Sequence, residues 1–166
     1  IITSGAVSAG KFDFVPSVVN NFKLSNYFKS VAIRPGKPVL FAKIKGKQKA
    51  IFGLPGNPIS SAACFRFFVY PYLRNLLGIK EETSFKATLK NKFIKKKNFT
   101  RFVKSKLSTT KNGKLEVQIL KGQESFRIKS FIQSNIWVLL PSGKDKFKKG
   151  EIVDCFFPNQ SNKIFL

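Results

Sequence analysis

The sequence predicts an α/β unit followed by a small all-β unit, and three observations support this division. A strand, a glycine-containing loop and a helix follow one another at the start of the chain and again after Ala50. From about residue 80 this rhythm gives way to short alternating apolar runs separated by turns, which is typical of strands. Between two of these runs lies Asn112-Gly113, a pair that strongly favours a β-hairpin turn. We therefore predict an α/β domain over residues 1–79 and a barrel-like β domain over residues 80–166.

The first strand–loop–helix pattern begins at Ile1. Small residues and two glycines between Ser4 and Gly10 indicate a loop whose backbone can approach a ligand closely. The next segment is predicted to be a helix with one apolar face, formed by Phe14, Val15, Val18, Val19 and Phe22. Asp13 lies at its start and is the only carboxylate before Glu81, so it is either a helix N-terminal charge or a catalytic group.

The second pattern is centred on Gly53-Leu54-Pro55-Gly56-Asn57-Pro58, which follows the apolar run Ala50-Ile51-Phe52. Asn57 is a good N-cap and Pro58 a good first helical residue, so a helix should begin here. We expect free backbone N–H groups at its start to face an anion, usually a phosphate. The helix should be buried on nearly all sides, kink or divide at Pro71, and end at Gly78.

Between the two patterns, Arg34-Pro35-Gly36-Lys37-Pro38 should form a rigid loop, because two prolines and a glycine restrict its backbone. Arg34 and Lys37 are then held in place rather than mobile. Short strands are predicted on either side, over residues 31–33 and 39–44. The β unit should contain strands near residues 85–93, 102–107, 115–120, 128–131, 136–140 and 152–157.

The net charge of +23 is the most unusual feature of the composition. It suggests nucleic acid or an anionic membrane as a partner, but lysines recur along the whole chain, which favours compositional drift in an AT-rich genome. No apolar run approaches the ~18 residues of a membrane span, and no signal peptide is recognisable. Cys64 and Cys155 are expected to be buried free thiols in a cytoplasmic protein. The absence of histidine argues against His-based catalysis and a zinc site.

Three motifs occur in a fixed order: Ile2-Thr3-Ser4-Gly5, Ala32 to Pro38, and Phe52 to Ser60. With them, the chain closely resembles the molybdopterin molybdenumtransferases, a family that includes the C-terminal domain of gephyrin. The resemblance covers essentially all residues, and a small β domain after the long helix also fits. It implies that the α/β unit is the C-terminal part of a molybdopterin-binding domain. Because the chain begins within a strand and has no methionine, we expect it to be a C-terminal fragment.

The resemblance implies insertion of molybdate into adenylylated molybdopterin with release of AMP, Mg²⁺ as a helper ion, and a homodimer in the cytoplasm, with no nucleic-acid or membrane partner. It implies catalytic roles for Asp13, Arg34 and Lys37, with Asp13 as the metal ligand. It also implies a set of substrate-binding residues, namely Thr3, Ser4, Gly5, Ser8, Gly10, Pro55, Gly56, Asn57, Pro58, Ser60, Lys104, Gln123 and Ser125.

The chain departs from the family pattern at two positions. Gly5 is followed by Ala6 where the family usually has a second glycine, so a methyl group lies where backbone should approach the ligand. Ser30 stands where some members carry a lysine. The family's upstream acidic motif would lie before Ile1, so this chain alone is expected to have an incomplete site and to be inactive, and a degenerate member is a further alternative.

Three other interpretations remain open. Molybdopterin adenylyltransferases share the α/β fold and a similar Thr-Ser-Gly-Gly loop, but they lack the turn at Leu54–Pro58 followed by a β domain. A nucleic-acid or acidic-partner binding module could use Lys86 to Lys106, which holds nine basic residues and no acid. Binding of that kind should weaken steeply with added salt. A scaffolding role of the gephyrin kind, with a peptide groove beside the β domain, is the third.

Overall fold

The computed structural model describes residues 1–7 and 13–158. The chain forms two compact units, the first ending at Lys80 and the second beginning at Glu81. Within the described ranges, no helix combines the length and apolar character that crossing a membrane requires. The fold class is thus α/β followed by a barrel-like β unit.

The first unit is built on a four-stranded mixed sheet. Its strands are β1 Ile2–Ser4, β2 Leu24–Phe28, β4 Leu40–Ile44 and β5 Ala50–Leu54, and the two-residue strand β3, Ile33–Arg34, is not part of this sheet. The sheet has the order β1-β5-β4-β2, with β1 parallel to β5 and the other neighbours antiparallel. A tight turn joins β4 to β5 because Gly46 adopts a positive φ of 71°. The sequence patterns predicted β4 and β5, but they did not predict β2.

The helices of this unit are α1 Val15–Val19, α2 Pro58–Cys64 and α3 Tyr70–Leu76, and a π-helical turn, Phe65–Val69, joins α2 to α3. The π turn ends two residues before Pro71, the second residue of α3. A proline ring would clash with the carbonyl four residues earlier, and the wider turn relieves that clash. Gly78 ends the helix as predicted: with φ of 66°, it lets Ile79 N–H donate to the Arg74 carbonyl at 2.9 Å, a Schellman cap.

The core of the first unit lies on the sheet. Buried Val19, Leu40, Ala42 and Ile51 form one cluster. Phenylalanine and tyrosine side chains form a second, with Tyr72 of α3 contacting Phe52 edge-on at 5.3 Å between ring centroids. Two predictions are corrected here. Helix α1 is short and leaves Phe14, Val18 and Phe22 exposed, and α3 contains no fully buried residue.

The second unit is a five-stranded barrel with a small accessory ribbon. Its elements are β6 Phe85–Leu89, β7 Phe93–Ile94, β8 Thr100–Thr109, β9 Leu115–Ile119, α4 Ile128–Ile132, β10 Ile136–Leu140, β11 Lys146–Phe147 and β12 Ile152–Phe156. The strand order is β10-β12-β6-β9-β8, and pairing of β10 with β8 closes the barrel. Strands β7 and β11 form the ribbon. As predicted, the β8–β9 hairpin turns at Asn112-Gly113, where Gly113 has φ of 75°.

The barrel interior is filled by one continuous apolar cluster. Its members are Ala87, Leu89, Val103, Val117, Ile119, Ile136, Val138, Leu140, Phe147, Val153 and Cys155. The prediction of a strand near residues 128–131 was wrong, because Ile128–Ile132 form helix α4. Ser130 on this helix donates to the Gly122 and Arg127 carbonyls at 2.6 and 2.9 Å. These local bonds favour a helical turn that alternation of apolar residues does not indicate.

Candidate functional site

The glycine turn after β5 and the loop after β1 meet at one end of the sheet. Since β1 and β5 are parallel, their carboxyl ends lie side by side, with Ser4 opposite Leu54. The Gly5 N–H donates to the Leu54 carbonyl at 2.9 Å. A Cβ at Gly56 would lie 3.6 Å from the Gly5 Cα, an ordinary van der Waals contact, so the turn and the loop lie side by side. The carboxyl ends of parallel strands are the usual location of ligand sites in open α/β sheets.

Asn57 caps helix α2 and changes what this helix start can offer to a ligand. Its Oδ1 accepts from Ile59 N–H at 3.2 Å and from Ser60 N–H at 3.3 Å. Its carbonyl accepts from Ser61 N–H at 2.8 Å, and Pro58 has no N–H to offer. The predicted cap and helix start are confirmed, but the expectation of free N–H groups within the helix was wrong. Any amides presented to an anion must come from the turn before Asn57.

Two serine hydroxyls lie beside this turn. Ser61 Oγ donates to the Pro55 carbonyl at 2.7 Å and lies 3.4 Å from Ser4 Oγ. The Ser61 hydroxyl therefore braces the turn and connects it to the end of β1. Ser60, the serine predicted as a substrate-binding residue in place of Ser61, is buried. Helical spacing would have identified Ser61, because it lies four residues after the N-cap and so faces the helix start.

The loop after β1 is held against the sheet and against helix α1. Val7 is buried beside Gly53, where a Cβ would lie only 2.5 Å from Val7 Cγ1. The Ala6 carbonyl accepts from Val15 N–H at 3.2 Å, which brings the start of α1, and hence Asp13, close to the loop. Asp13 is partly exposed. Of the predicted loop residues, Ser8 and Gly10 fall outside the described ranges.

Arg34 and Lys37 are positioned by a loop that packs on helix α2. The Arg34–Pro35 peptide bond is cis, and Gly36 is buried with φ of 100°. The Gly36 carbonyl accepts from the Cys64 thiol at 3.5 Å, and a Cβ at Gly36 would lie 3.5 Å from the Ser60 carbonyl oxygen. Both Arg34 and Lys37 are exposed. The loop is therefore fixed to the same helix that follows the glycine turn.

Charge in this unit is strongly one-sided. Asp13 is the only carboxylate in the first eighty residues, against twelve lysines and arginines. Among the described residues there is no group of three or more His, Cys, Asp or Glu side chains that could hold a metal ion. Burial raises the pKa of the Cys64 thiol to about 12, so this cysteine stays protonated and is a poor nucleophile.

The remaining predicted residues lie in the second unit, where they hold one loop together. Lys104 is only 1% exposed, and its Nζ donates to the carbonyls of Gly122, Glu124 and Arg127 at 2.7, 3.0 and 3.2 Å. Burial lowers the pKa of this ammonium group, and Glu124 acts in the opposite direction. A lysine ammonium has three donors, and here all three bind backbone. Lys104 is therefore a structural support of the loop.

Gln123 completes this support from the opposite side. Its Oε1 accepts from the Lys104 backbone N–H at 3.0 Å, and its Nε2 donates to the carbonyls of Lys104 and Leu120 at 2.7 and 2.8 Å. Ser125, between these anchored residues, is half-buried. The side-chain amide of Gln123 is thus used in hydrogen bonds within the protein. Of the three predicted residues in this unit, Ser125 is the one whose side chain makes no structural hydrogen bond in the described contacts.

Comparison with known proteins identifies the class to which this fold and site belong. Residues 1–75 match the probable molybdopterin binding domain, and residues 86–156 match the MoeA C-terminal region, domain IV. Together the two matches account for most of the chain, with one on each compact unit. They define an α/β molybdopterin-binding domain followed by a MoeA-type β domain.

Relatives of known name agree with this class. The chain is 36% identical over 157 residues to a molybdopterin molybdenumtransferase of Staphylococcus aureus strain COL, covering 93% of this chain and 36% of the relative. It is 35% identical over 164 residues to one of Staphylococcus epidermidis, covering 98% and 38%. A solved molybdopterin biosynthesis MoeA protein from Pyrococcus horikosii superposes with a TM-score of 0.69 at 29% identity, covering 96% of this chain and 37% of that one.

The chain belongs to the molybdopterin molybdenumtransferase family. It spans little more than a third of the length of the curated relatives that it matches.

Proposed function

We propose that this chain supplies part of the active site of a molybdopterin molybdenumtransferase, which inserts molybdate into adenylylated molybdopterin and releases AMP. The observation that carries the proposal is the meeting of the β1 loop and the Pro55–Pro58 turn at Gly5 and Gly56. We take this contact, at the carboxyl ends of two parallel strands, as the floor of the substrate cleft. The loop bearing Arg34 and Lys37 is fixed to the helix that starts at this cleft.

The chemistry requires an adenylyl phosphoanhydride to be cleaved while an oxyanion is brought to the pterin. Arg34 and Lys37 are exposed cations on a rigid loop, so they can bind phosphate oxygens and stabilise the charge that develops on the departing AMP. Close backbone approach at Gly5 and Gly56 leaves room for a flat or anionic group. The Ser4 hydroxyl can donate to it at the edge of the cleft, whereas the hydroxyls of Thr3 and Ser61 already donate to the carbonyls of Phe52 and Pro55.

Asp13 is the residue that would hold Mg²⁺. One carboxylate together with substrate phosphates and waters is a common way for proteins to bind this ion, so the residues present fit it. When bound, Mg²⁺ would neutralise phosphate charge at the cleft. We also infer, from the family alone, that the protein acts in the cytoplasm as a homodimer.

Equilibrium binding of adenylylated molybdopterin to this chain tests the proposal. Arg34→Gln and Lys37→Gln should each weaken binding by about 10- to 100-fold, because each removes a charge-assisted hydrogen bond of about 1.5–3 kcal/mol. Lys47→Gln is the matched control: it removes the same charge from the exposed β4–β5 turn, at the end of β5 opposite to the glycine turn, and should change the affinity less than twofold. Equal losses in all three variants would show that only the overall positive charge attracts the ligand.

A further inference from the structure

The β7–β11 ribbon of the second unit carries a dense cluster of positive charge. Four lysines occur within residues 92–97 and four within residues 143–149, and Asp145 is the single acid in these two segments. Over the whole chain, 31 of 166 residues are lysine or arginine, so compositional drift spread evenly along the sequence would place far fewer here. A local concentration of this kind indicates a polyanionic partner.

The pairing of the ribbon places most of these lysines on one face. Strands β7 and β11 run antiparallel, with Ile94 opposite Lys146. The same register continues past the strand ends, because Gly143 N–H donates to the Lys97 carbonyl at 2.9 Å. Side chains alternate between the two faces of a ribbon, so every second residue from Ile94 and from Lys146 shares their face. This outward face consists of six exposed residues, namely Lys92, Ile94, Lys96, Lys144, Lys146 and Lys148.

The inward face of the ribbon anchors it to the barrel and uses its own charges there. Phe147 is 3% exposed and belongs to the apolar cluster of the barrel interior. Lys95 is 5% exposed, and its Nζ donates to the carbonyls of Lys96 and Phe99 at 3.3 and 2.7 Å. Burial lowers the pKa of the Lys95 ammonium group, and the charge of Asp145 acts in the opposite direction. The one acid of the cluster therefore compensates the buried lysine.

The outward face, in contrast, keeps most of its charge. Within the part of the chain that the structure describes, one of its lysines forms an ion pair, Lys144 with Glu151. Hydrogen bonds from the Lys144 ammonium and from the Lys148 backbone N–H hold the pKa of the Glu151 carboxyl below its usual range. The outward lysines without a carboxylate within ion-pair distance, among the described residues, are Lys92, Lys96, Lys146 and Lys148. Like charges held this close repel one another, so a bound polyanion would relieve the repulsion.

We propose that the outward face of the β7–β11 ribbon binds the phosphate backbone of a nucleic-acid duplex without regard to sequence. Neighbouring positions on such a face are about 5 Å apart across the ribbon and about 7 Å apart along it. A duplex carries one phosphate charge per about 1.7 Å of its axis, so each outward lysine can reach a phosphate. Contacts of this kind position a duplex but carry no sequence information. The inference goes beyond the proposed function, since no residue of the candidate site takes part.

Three other classes of partner fit the outward face less well. Protein interfaces are depleted of lysine and enriched in aromatic residues, whereas Ile94 is the single apolar side chain among the six outward residues. Binding to a membrane surface requires buried apolar area as well as charge, and Ile94 supplies little of it. Single strands are bound by stacking their bases on aromatic rings, and Phe93 and Phe147 both occupy inward positions.

Fluorescence anisotropy of this chain with labelled duplexes of roughly 20 base pairs tests the proposal, using two unrelated DNA sequences and one RNA sequence. We expect the two DNA sequences to bind with equal affinity. Four phosphate contacts predict a slope of about −4 for the logarithm of affinity against that of salt, or a loss of about 100-fold between about 50 and 200 mM KCl. Binding to either nucleic acid supports the proposal, and the tighter one identifies the form of duplex.

Two matched double variants locate the contact. Lys92→Gln/Lys146→Gln removes two outward lysines, so it should reduce the salt slope by about 2 and weaken binding at least tenfold at low salt. Lys111→Gln/Lys114→Gln is the control. It removes the same charge from the exposed hairpin turn at the other end of the ten-residue strand β8, and it should leave the slope unchanged. Fluorescence of Trp137 establishes that the barrel of each variant is folded.

Several outcomes would overturn the proposal. The absence of duplex binding at low salt is one, and equal losses in the two double variants are another, because only the net charge would then attract the duplex. Tighter binding to a single strand, or to vesicles of phosphatidylserine and phosphatidylcholine, would assign the outward face to that partner. Binding of adenylylated molybdopterin, measured on the same variants, should be unchanged. Failure of either proposal therefore leaves the other standing.

Discussion

The packing of Gly36 against Cys64 makes the clearest quantitative prediction, because it fixes the loop that carries Arg34 and Lys37. A Cβ at Gly36 would lie 2.4 Å from Cys64 Sγ, far inside van der Waals contact. Forcing extra atoms into a packed site costs about 1–3 kcal/mol. The φ of 100° adds about 1–2 kcal/mol for a residue with a side chain. Gly36→Ala should therefore destabilise the first unit by about 2–5 kcal/mol.

Gly46→Ala separates the two contributions. Gly46 also has a positive φ, 71°, but a Cβ there would meet no atom within 4 Å. This control variant should cost only the conformational part, about 1–2 kcal/mol. The double variant Gly36→Ala/Cys64→Ala should recover most of the difference, because the clashing sulfur is gone.

The chain carries its own probes for this measurement. All three tyrosines, Tyr27, Tyr70 and Tyr72, lie in the first unit, and the single tryptophan, Trp137, lies in the second. Urea unfolding followed by tyrosine ellipticity should show a midpoint lowered by more than 1 M for Gly36→Ala, at about 1 kcal/mol per M for a small unit. Tryptophan fluorescence should show little change. A midpoint for Gly36→Ala no lower than that for Gly46→Ala would refute the packing argument.

Three further predictions concern single features. Ala6 has φ of 55°, so Ala6→Gly should stabilise the first unit by about 1 kcal/mol in the same urea assay; a lower midpoint would contradict the assigned backbone conformation. Lys104→Met should speed amide exchange of the loop at residues 122–127 and cost the barrel about 1–3 kcal/mol, whereas exposed Lys106→Met should do neither. Burial raises the pKa of both cysteine thiols to about 12, so their contribution to the free energy of unfolding is complete below pH 9 and is lost as the pH rises towards 12. Cys64→Ala should make the decrease in stability between pH 9 and pH 12 less steep. An unchanged pH dependence of stability in this variant would contradict the burial of the thiol.

The sequence predicted most strands and the second helix because their local patterns are unambiguous. Asn57-Pro58 marks a helix start and Gly78 a helix end by backbone chemistry alone, and both lie where predicted. The strand at 136–140 is a continuous apolar run, and it occupies those residues. Residues 128–131 alternate like a strand, yet hydrogen bonds from Ser130 to the carbonyls of Arg127 and Gly122, in the segment just before them, hold them as a helix.

Tertiary contacts determine the features of the site that the sequence patterns do not predict. The motifs indicated which segments belong to the site and that Asn57 caps the second helix, but they did not show that Ser61 braces the turn or that Gly53 makes room for Val7. A lysine at 104 looks like a ligand-binding cation in sequence, whereas burial and three carbonyl partners make it a support for its loop. Such roles depend on contacts between residues far apart in the chain, which periodicity does not encode.

The proposal tested here is that this chain supplies the part of a molybdate-insertion site formed by Gly5, Gly56 and the Arg34–Pro38 loop. The most direct measurement is AMP release from adenylylated molybdopterin by a single chain joining the preceding region of the Staphylococcus aureus relative to this sequence. We expect release to require molybdate and to fall at least tenfold in Arg34→Gln and in Asp13→Asn, but not in Lys47→Gln. Release that proceeds equally without molybdate, or that is unaffected by Arg34→Gln and Asp13→Asn, would contradict it.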